Sequence, residues 1–269
     1  MTRVGVLGAG GRMGQVVCRA IAQDPELELV AAVDPALAGI DLRQVTGVDA
    51  AGLQVASDVE DLERSGAQVA VDFTVADAAA EHMRWCATHG VHAVVGTTGI
   101  DEGVLTELRA LFESSEANCV IAANFAIGAV LMMRFAELAA PFMDGVEIFE
   151  LHHDGKLDAP SGTAMQTADR LGKARRAAGG DAWPGDRTAK EVITGARGGE
   201  GPGGVRIHSV RLPGLVAHQE VLFGAVGQSL GIRHDAYDRT SFMPGMILAV
   251  KSVASRPGLT VGLDTLLGF

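Results

Sequence analysis

The chain has 269 residues, enough for one large or two medium-sized domains with an ample core. Its apolar content of 48% and charged content of 20% are ordinary for a soluble globular protein. A net charge of −11 disfavours nucleic acid and anionic membrane surfaces as partners. The three cysteines, Cys18, Cys86 and Cys119, are too scattered for a disulfide framework or a zinc site. No signal peptide or membrane-spanning run is visible, so we expect a cytoplasmic protein with reduced core thiols.

The first 125 residues alternate short apolar runs with segments of helical periodicity. Strands are expected at residues 4–7, 27–33, 69–73, 92–95 and 120–122. Continuous apolar strands that alternate with helices predict an α/β fold with a Rossmann-like, doubly wound parallel sheet covered on both faces. Ligands of such sheets bind beyond the carboxyl ends of the strands.

The pattern changes after about residue 125. Helices are expected at 127–142 and 163–176, and strands at 205–212, 217–223 and 228–234. These elements predict a second domain of α+β type with an open mixed or antiparallel sheet. Residues 195–204 hold six glycines and predict a mobile loop. Pro244 fits the first turn of a final helix.

A glycine-rich turn follows the first strand and opens a helix. It reads Gly8-Ala9-Gly10-Gly11-Arg12-Met13-Gly14. Such glycines let backbone N–H groups approach a pyrophosphate, although the third glycine stands one residue further on than in the usual fingerprint. Asp34, at the end of the next strand, is placed to accept from ribose hydroxyls, and its alternative role is to cap a turn.

Further candidates for the nucleotide follow the other strands, at Phe73, Thr74, Gly96, Thr97, Thr98, Ala123, Asn124 and Phe125. A carboxylate at Asp34 should repel the 2′-phosphate of NADP, which favours NADH. Arg12 could attract the same phosphate. We therefore expect the use of both NADH and NADPH, with NADH at least as good.

Residues 147–164 carry the most informative pattern. A strand delivers His152 and His153, a short loop carries Lys156, and Ser161-Gly162-Thr163 opens a helix. Histidine donates protons near neutral pH, and helix-start amides bind carboxylates. Neighbours on a strand point to opposite faces, so the two histidines should not share a metal, and no metal is expected. Two acids, Glu150 and Asp158, could each orient a neighbour or pair with Lys156.

These motifs resemble the 4-hydroxy-tetrahydrodipicolinate reductase (dihydrodipicolinate reductase) family of diaminopimelate and lysine biosynthesis. The matching residues are 8–14, 72–74, 96–99, 123–125, 152–164, 231–234 and 241–245, which cover nearly the whole chain. The block from His152 to Ala164 is highly specific, and the other blocks support it.

The resemblance implies a dinucleotide-binding domain at residues 1–125 and 235–269 and a substrate and tetramerisation domain at 126–234. It implies that His152 is a proton donor and acceptor, that Lys156 is a proton donor, and that His153 with Ser161, Gly162 and Thr163 binds a small dicarboxylate. The nicotinamide dinucleotide would contact residues 8–13, Asp34, Phe73, Thr74, 96–98 and 122–125, which include Ala122. A homotetramer is the expected assembly.

Two other functions remain open from the residues themselves. Another NAD-dependent oxidoreductase on the same scaffold would reduce an imine derived from an amino acid. A non-catalytic dinucleotide sensor would have no use for the cluster of His152, Lys156 and Thr163. An acyl-transferring dehydrogenase would need an activated cysteine, whereas Cys119 lies in an apolar strand and is expected in the core.

Overall fold

The computed structural model describes residues 1–50 and 52–269. The chain forms two compact units. The first unit comprises Met1–Phe125 and Arg239–Phe269, and the second comprises Ala126–Asp238.

The first unit is built on a six-stranded sheet in which every pair is parallel. Its strands are β1 (Thr2–Leu7), β2 (Leu27–Val33), β3 (Val69–Asp72), β4 (His92–Val95), β5 (Cys119–Ile121) and β11 (Leu259–Val261). The strand order is β11-β5-β4-β3-β1-β2. Five strands lie where the sequence predicts them. β11 was not predicted, because Thr260 interrupts its apolar residues.

Helices connect these strands. They are α1 (Arg12–Gln23), α2 (Leu42–Thr46), α3 (Asp61–Arg64), α4 (Ala76–His89), α5 (Glu102–Glu113) and α8 (Met243–Ser252). Every residue of β3 and of β5 is buried. Because successive strand residues face opposite sides, both faces of the sheet must be covered. The predicted doubly wound α/β fold is confirmed.

The strand order reverses at β1, which lies between β2 and β3. The chain crosses to β2 on one side of β1 and then returns to β3 on the other. The crevice at such a switch point is where parallel α/β sheets bind ligands. All the nucleotide candidates of the sequence follow the carboxyl ends of β1 to β5, on this edge of the sheet.

The second unit holds a five-stranded mixed sheet, as predicted. Its elements are α6 (Ile127–Ala139), β6 (Gly145–His152), α7 (Gly162–Ala177), β7 (Gly199–Glu200), β8 (Arg206–Arg211), β9 (Ala217–Ala225) and β10 (Gln228–Ala236). The order is β10-β9-β6-β8-β7, with β6 and β8 parallel and the other pairs antiparallel.

One face of this sheet packs under α6 and α7. Ile148, Val221 and Phe223 are buried there together with Ala168 and Leu171 of α7. The alternate residues of the same strands turn to the other face, where Leu222 is 37% exposed. The unit therefore has one apolar side and one open side.

The glycine-rich segment at residues 195–204 is more regular than the mobile loop expected. It contains β7, which pairs with β8, and a 3-10 turn at Pro202–Gly204. A Cβ on Gly172 of α7 would lie 2.9 Å from the Cα of Gly203, so this turn approaches the helix without room for side chains. The glycines thus permit close packing, which a count of glycines does not reveal.

Pro244 lies in the first turn of α8, as predicted, although β11 and short 3-10 turns follow that helix. Cys18, Cys86 and Cys119 are free and buried. Burial raises the pKa of the Cys18 thiol to about 12, and the core position expected for Cys119 is confirmed. Across residues 1–50 and 52–269, no helix combines the length and the apolar character required to cross a bilayer.

Candidate active site

The glycine turn presents the start of α1 to a ligand. Gly8 has φ +75°, a left-handed conformation that glycine adopts without strain. A Cβ on Gly14 would lie 2.0 Å from the Gly8 carbonyl oxygen, so only glycine lets the helix pack against the turn. Gly11 caps α1 without any side-chain hydrogen bond, which leaves the first helical N–H groups available to an anion. Arg12 is exposed at this helix start.

Asp34 holds the glycine turn in place. Its Oδ2 accepts from the Gly10 backbone N–H at 3.0 Å, and its Oδ1 accepts from the Ala36 N–H at 3.1 Å. The turn-capping alternative is therefore realised at Pro35–Leu37. Each carboxylate oxygen keeps further acceptor capacity, so contact with a ribose stays a prediction.

The loops after β3, β4 and β5 contact one another. A Cβ on Gly96 would lie 2.1 Å from the Phe73 ring, so this glycine makes room for the ring. Phe73 and Phe125 have ring centroids 5.8 Å apart, and the Thr97 hydroxyl donates to the Thr74 carbonyl at 3.0 Å. Of the other predicted residues of this edge, Ala9 lies in the glycine turn and Met13 in the first turn of α1. The rest lie in the loops, at Thr98, Ala122, Ala123 and Asn124.

A cavity of about 470 Å³ opens beside the glycine turn, and its walls include Gly8, Asp34, Thr74, His82 and Trp85. Small-molecule sites commonly have this size. The residues present fit a nicotinamide dinucleotide. The uncapped helix start suits a pyrophosphate, and the adjoining cavity suits a nucleoside.

The second unit brings a proton donor and a buried acid together. Glu150 and His152 are two residues apart on β6, so their side chains share a face. Glu150 is completely buried, and its Oε2 lies 2.5 Å from Nδ1 of His152. Arg211 on β8 donates two hydrogen bonds to the same carboxylate, from Nη1 at 2.9 Å and from Nη2 at 2.8 Å.

The Glu150 carboxyl stays ionised in this environment. Burial by itself would raise its pKa, but hydrogen bonds from His152, Arg211 and Ser209 outweigh that effect and lower the pKa to about 2. A carboxylate in this state only accepts hydrogen bonds. The Nδ1 of His152 therefore carries the proton that points at Glu150.

The loop after β6 carries the second candidate proton donor. His153 lies just beyond the strand and is exposed, so strand alternation does not determine its direction. Lys156 Nζ donates to both carboxylate oxygens of Asp158, at 2.7 and 2.9 Å. These hydrogen bonds hold the pKa of Asp158 below its usual range. Of the two acids left open by the sequence, Asp158 pairs with Lys156 and Glu150 orients His152.

The start of α7 has the form of an anion site. The Ser161 hydroxyl accepts from the Ala164 N–H at 3.2 Å and caps the helix. The N–H groups of Gly162 and Thr163 have no acceptor among the described residues. The Ser161 N–H donates to Glu150 Oε1 at 3.2 Å, which ties this helix start to the strand that carries His152.

Sequence reasoning missed two members of these sites. Arg211 lies 61 residues from Glu150 in the chain, and no local motif signals their contact. His82 lines the cavity of the first unit and its Nδ1 lies 2.7 Å from the buried Asp72, but on α4 it resembles any surface histidine. No group of three or more metal-ligating side chains occurs in the part of the chain that the structure describes.

Comparison with known proteins covers the whole chain. Residues 2–125 match the family described as dihydrodipicolinate reductase, N-terminus, and residues 128–267 match its C-terminus. The 4-hydroxy-tetrahydrodipicolinate reductase of Nocardia farcinica is 50% identical over 98% of both chains. That of Cutibacterium acnes is 49% identical over 100% of this chain and 99% of its own.

Solved structures agree. A dipicolinate-bound dihydrodipicolinate reductase from Paenisporosarcina superposes with a TM-score of 0.85 at 40% identity and covers 98% of this chain and 99% of its own. An amine dehydrogenase from Mycobacterium smegmatis shares the fold, with a TM-score of 0.66 at 19% identity over 98% and 95% of the two chains. With both family halves matched in order, this chain belongs to the dihydrodipicolinate reductase family.

Proposed function

We propose that this chain reduces 4-hydroxy-tetrahydrodipicolinate to tetrahydrodipicolinate with NADH or NADPH, in diaminopimelate and lysine biosynthesis. The reaction consumes one proton and releases the 4-hydroxyl group as water. The single observation that carries the proposal is the hydrogen bond from the Ser161 N–H to Glu150. It ties the helix start with the free amides of Gly162 and Thr163 to the Glu150–His152 pair. It sets a carboxylate site beside a proton donor.

The first unit binds the nucleotide in this proposal. The start of α1 at Gly11 and Arg12 holds the pyrophosphate, and the cavity beside Asp34 and Thr74 holds a nucleoside. When bound, the reduced nicotinamide supplies the hydride. Asp34 favours an unmodified ribose and Arg12 tolerates a 2′-phosphate, so both cofactors are used.

The second unit binds and protonates the substrate. The amides of Gly162 and Thr163, together with His153, hold a substrate carboxylate and thereby fix the ring in place. Loss of the 4-hydroxyl group and a neighbouring ring proton as water leaves a conjugated imine, and hydride addition to that imine builds negative charge, which a nearby cation stabilises. Lys156 supplies that cation, and His152 or Lys156 then delivers the proton.

The open face of the second sheet supports an assembly of several copies. Leu222 is 37% exposed there, beside the charged groups of Glu147 and His208. An open sheet face with apolar residues favours a partner of the same kind. We propose that the chain forms a homotetramer through this face and acts in the cytoplasm.

A direct assay tests the proposed reaction. The purified chain receives the product of dihydrodipicolinate synthase with NADH or NADPH, and cofactor oxidation is followed by absorbance. Turnover with either cofactor is expected. Replacing His152 by Ala or Lys156 by Met should lower kcat roughly 100-fold or more while the affinity for NADH stays near normal.

A matched control is Lys190→Met, which removes an exposed lysine of the same unit and should leave kcat unchanged. Absence of cofactor oxidation by the unmodified chain would contradict the proposed reaction. Full kcat in both site variants would contradict the assigned roles.

A further inference from the structure

Glu150 connects two parts of the candidate active site. Its Oε2 contacts His152, and its Oε1 accepts from the backbone N–H of Ser161 at 3.2 Å. Ser161 is the residue that caps α7, directly before Gly162 and Thr163. One buried carboxylate thus fixes the position of the imidazole relative to the helix start.

Arg211 keeps this carboxylate charged and immobile. Besides the two hydrogen bonds that Arg211 donates to Glu150, its Nη1 donates to the Val210 carbonyl and its Nη2 donates to the Asp158 carbonyl, each at 2.7 Å. A planar guanidinium held at four points leaves the carboxylate little freedom to rotate. A buried acid with no such partner would take up a proton and could then donate a hydrogen bond instead of accepting one.

The charge state of Glu150 decides which nitrogen of His152 exchanges protons. A carboxylate that only accepts requires the proton on Nδ1, so the neutral ring has its lone pair on Nε2. Nε2 is then the atom that gains a proton from water and passes it on. Without the carboxylate, both tautomers would be populated, and one of them has no lone pair on Nε2.

We infer that Glu150 is a positioning residue for the reduction: it fixes the tautomer of His152 so that Nε2 is the proton-transferring atom, and it sets the place of that atom relative to the amides of Gly162 and Thr163. This inference rests on the proposed function. It assigns Arg211 the task of keeping the carboxylate in its accepting form.

The groups around His152 allow a pH test. On its own strand the charged neighbour is Glu150, and on β8 it is Arg211. The loop adds the ion pair of Lys156 with Asp158, β9 places Ala217 beside the histidine, and the first turn of α7 holds no acidic residue. Glu150 is therefore the carboxylate in direct contact with the ring.

A double-mutant cycle separates positioning from mere stability. The variants are Glu150→Gln, His152→Ala and their combination. Glu150→Gln should lower kcat about 100-fold and move the basic limb of the kcat–pH profile to lower pH, because a neutral amide stabilises a positively charged ring less than a carboxylate does, with the KM for NADH changed less than about threefold. In the His152→Ala background the same change should cost less than about threefold, because its effect passes through the histidine.

Equal losses of kcat with and without His152 would overturn the inference, as would a basic limb that does not move. The control is Glu137→Gln on α6, which breaks another poorly exposed carboxylate–guanidinium contact; among the described residues its ion-pair partners are Arg134 and Arg170 and include no histidine. It should lower the thermal midpoint without moving the pH profile.

A measurement on the unmodified chain guards against a variant that does not fold. The nitrogen resonances of isotope-labelled histidine, with His152 assigned through its Ala variant, report the tautomer directly. A proton on Nδ1 of the neutral ring is expected, and a proton on Nε2 would overturn the inference. This measurement needs no turnover. If the unmodified chain failed to oxidise either cofactor, the proposed reaction would be refuted, whereas the resonances would still report the tautomer of His152.

Discussion

Replacing Glu150 by glutamine should change how the stability of the chain depends on pH. The pKa of this carboxyl is about 2 in the fold, against an ordinary value of 4.5. Because the folded value is depressed, the group stabilises the fold fully above pH 4.5, and its contribution is lost as the pH falls toward 2. Glutamine cannot titrate, so the variant lacks this dependence.

The magnitude follows from the two pKa values. Their difference of about 2.5 corresponds to about 3 kcal/mol of stability at neutral pH, as an order of magnitude. By linkage, about 1 kcal/mol of this stability is lost between neutral pH and pH 4, and about 2 kcal/mol is lost between neutral pH and pH 3. The weaker hydrogen bonding of Arg211 to the neutral amide is part of the figure at neutral pH, because Arg211 is one of the groups that depress the pKa of Glu150.

Thermal unfolding of both proteins between neutral pH and about pH 4 measures this effect. For a chain of this length about 1 kcal/mol shifts the midpoint by roughly 2–4 °C. The variant should unfold about 6–12 °C lower at neutral pH, and the gap should narrow by about 2–4 °C at pH 4. Parallel midpoint curves over this range would show that Glu150 is not held ionised by its neighbours.

Three further substitutions test other parts of the structure. Gly14→Ala should weaken NADH binding at least about tenfold and destabilise the fold by about 1–3 kcal/mol, because its Cβ would collide with a backbone carbonyl. The control is Gly185→Ala, whose Cβ would have no atom within 4 Å, and equal behaviour of the two variants would refute the packing argument. Thr167→Val removes the hydroxyl that accepts from the buried Gln219 amide at 2.8 Å and should cost about 1–3 kcal/mol in a denaturant titration; a loss below about 0.5 kcal/mol would contradict this. Asp34→Ala should raise the Kd of NADH more than that of NADPH, whereas an equal rise would mean that Asp34 caps the turn without contacting the ribose.

Local sequence patterns predict much of the fold and part of the candidate site. The five apolar strands of the first unit are visible because each is a continuous run, and the glycine turn is visible because only glycine fits where Gly14 meets Gly8. The spacing of Glu150 and His152 places both on one face of a strand by geometry alone. Helix-start residues at 161–163 were visible for a similar reason, since Ser is a favoured cap.

Other features depended on distant parts of the chain. β11 pairs with β5 across about 140 residues, and Thr260 interrupts its short apolar run. The glycines of residues 195–204 suggested mobility, yet Gly203 packs on Gly172. In each case the partner, and not the segment, determines the conformation.

The sequence by itself determined the family, the two kinds of sheet and the residue types that the proposed chemistry needs, because these are written in short periodic or clustered patterns. Only the tertiary structure decided what Glu150 and Asp158 do. The register of β6 with β8 brings Arg211 onto Glu150 and leaves Lys156 to pair with Asp158. This strand pairing brings together Arg211 and Glu150, which are 61 residues apart in the chain, and no local sequence pattern indicates it.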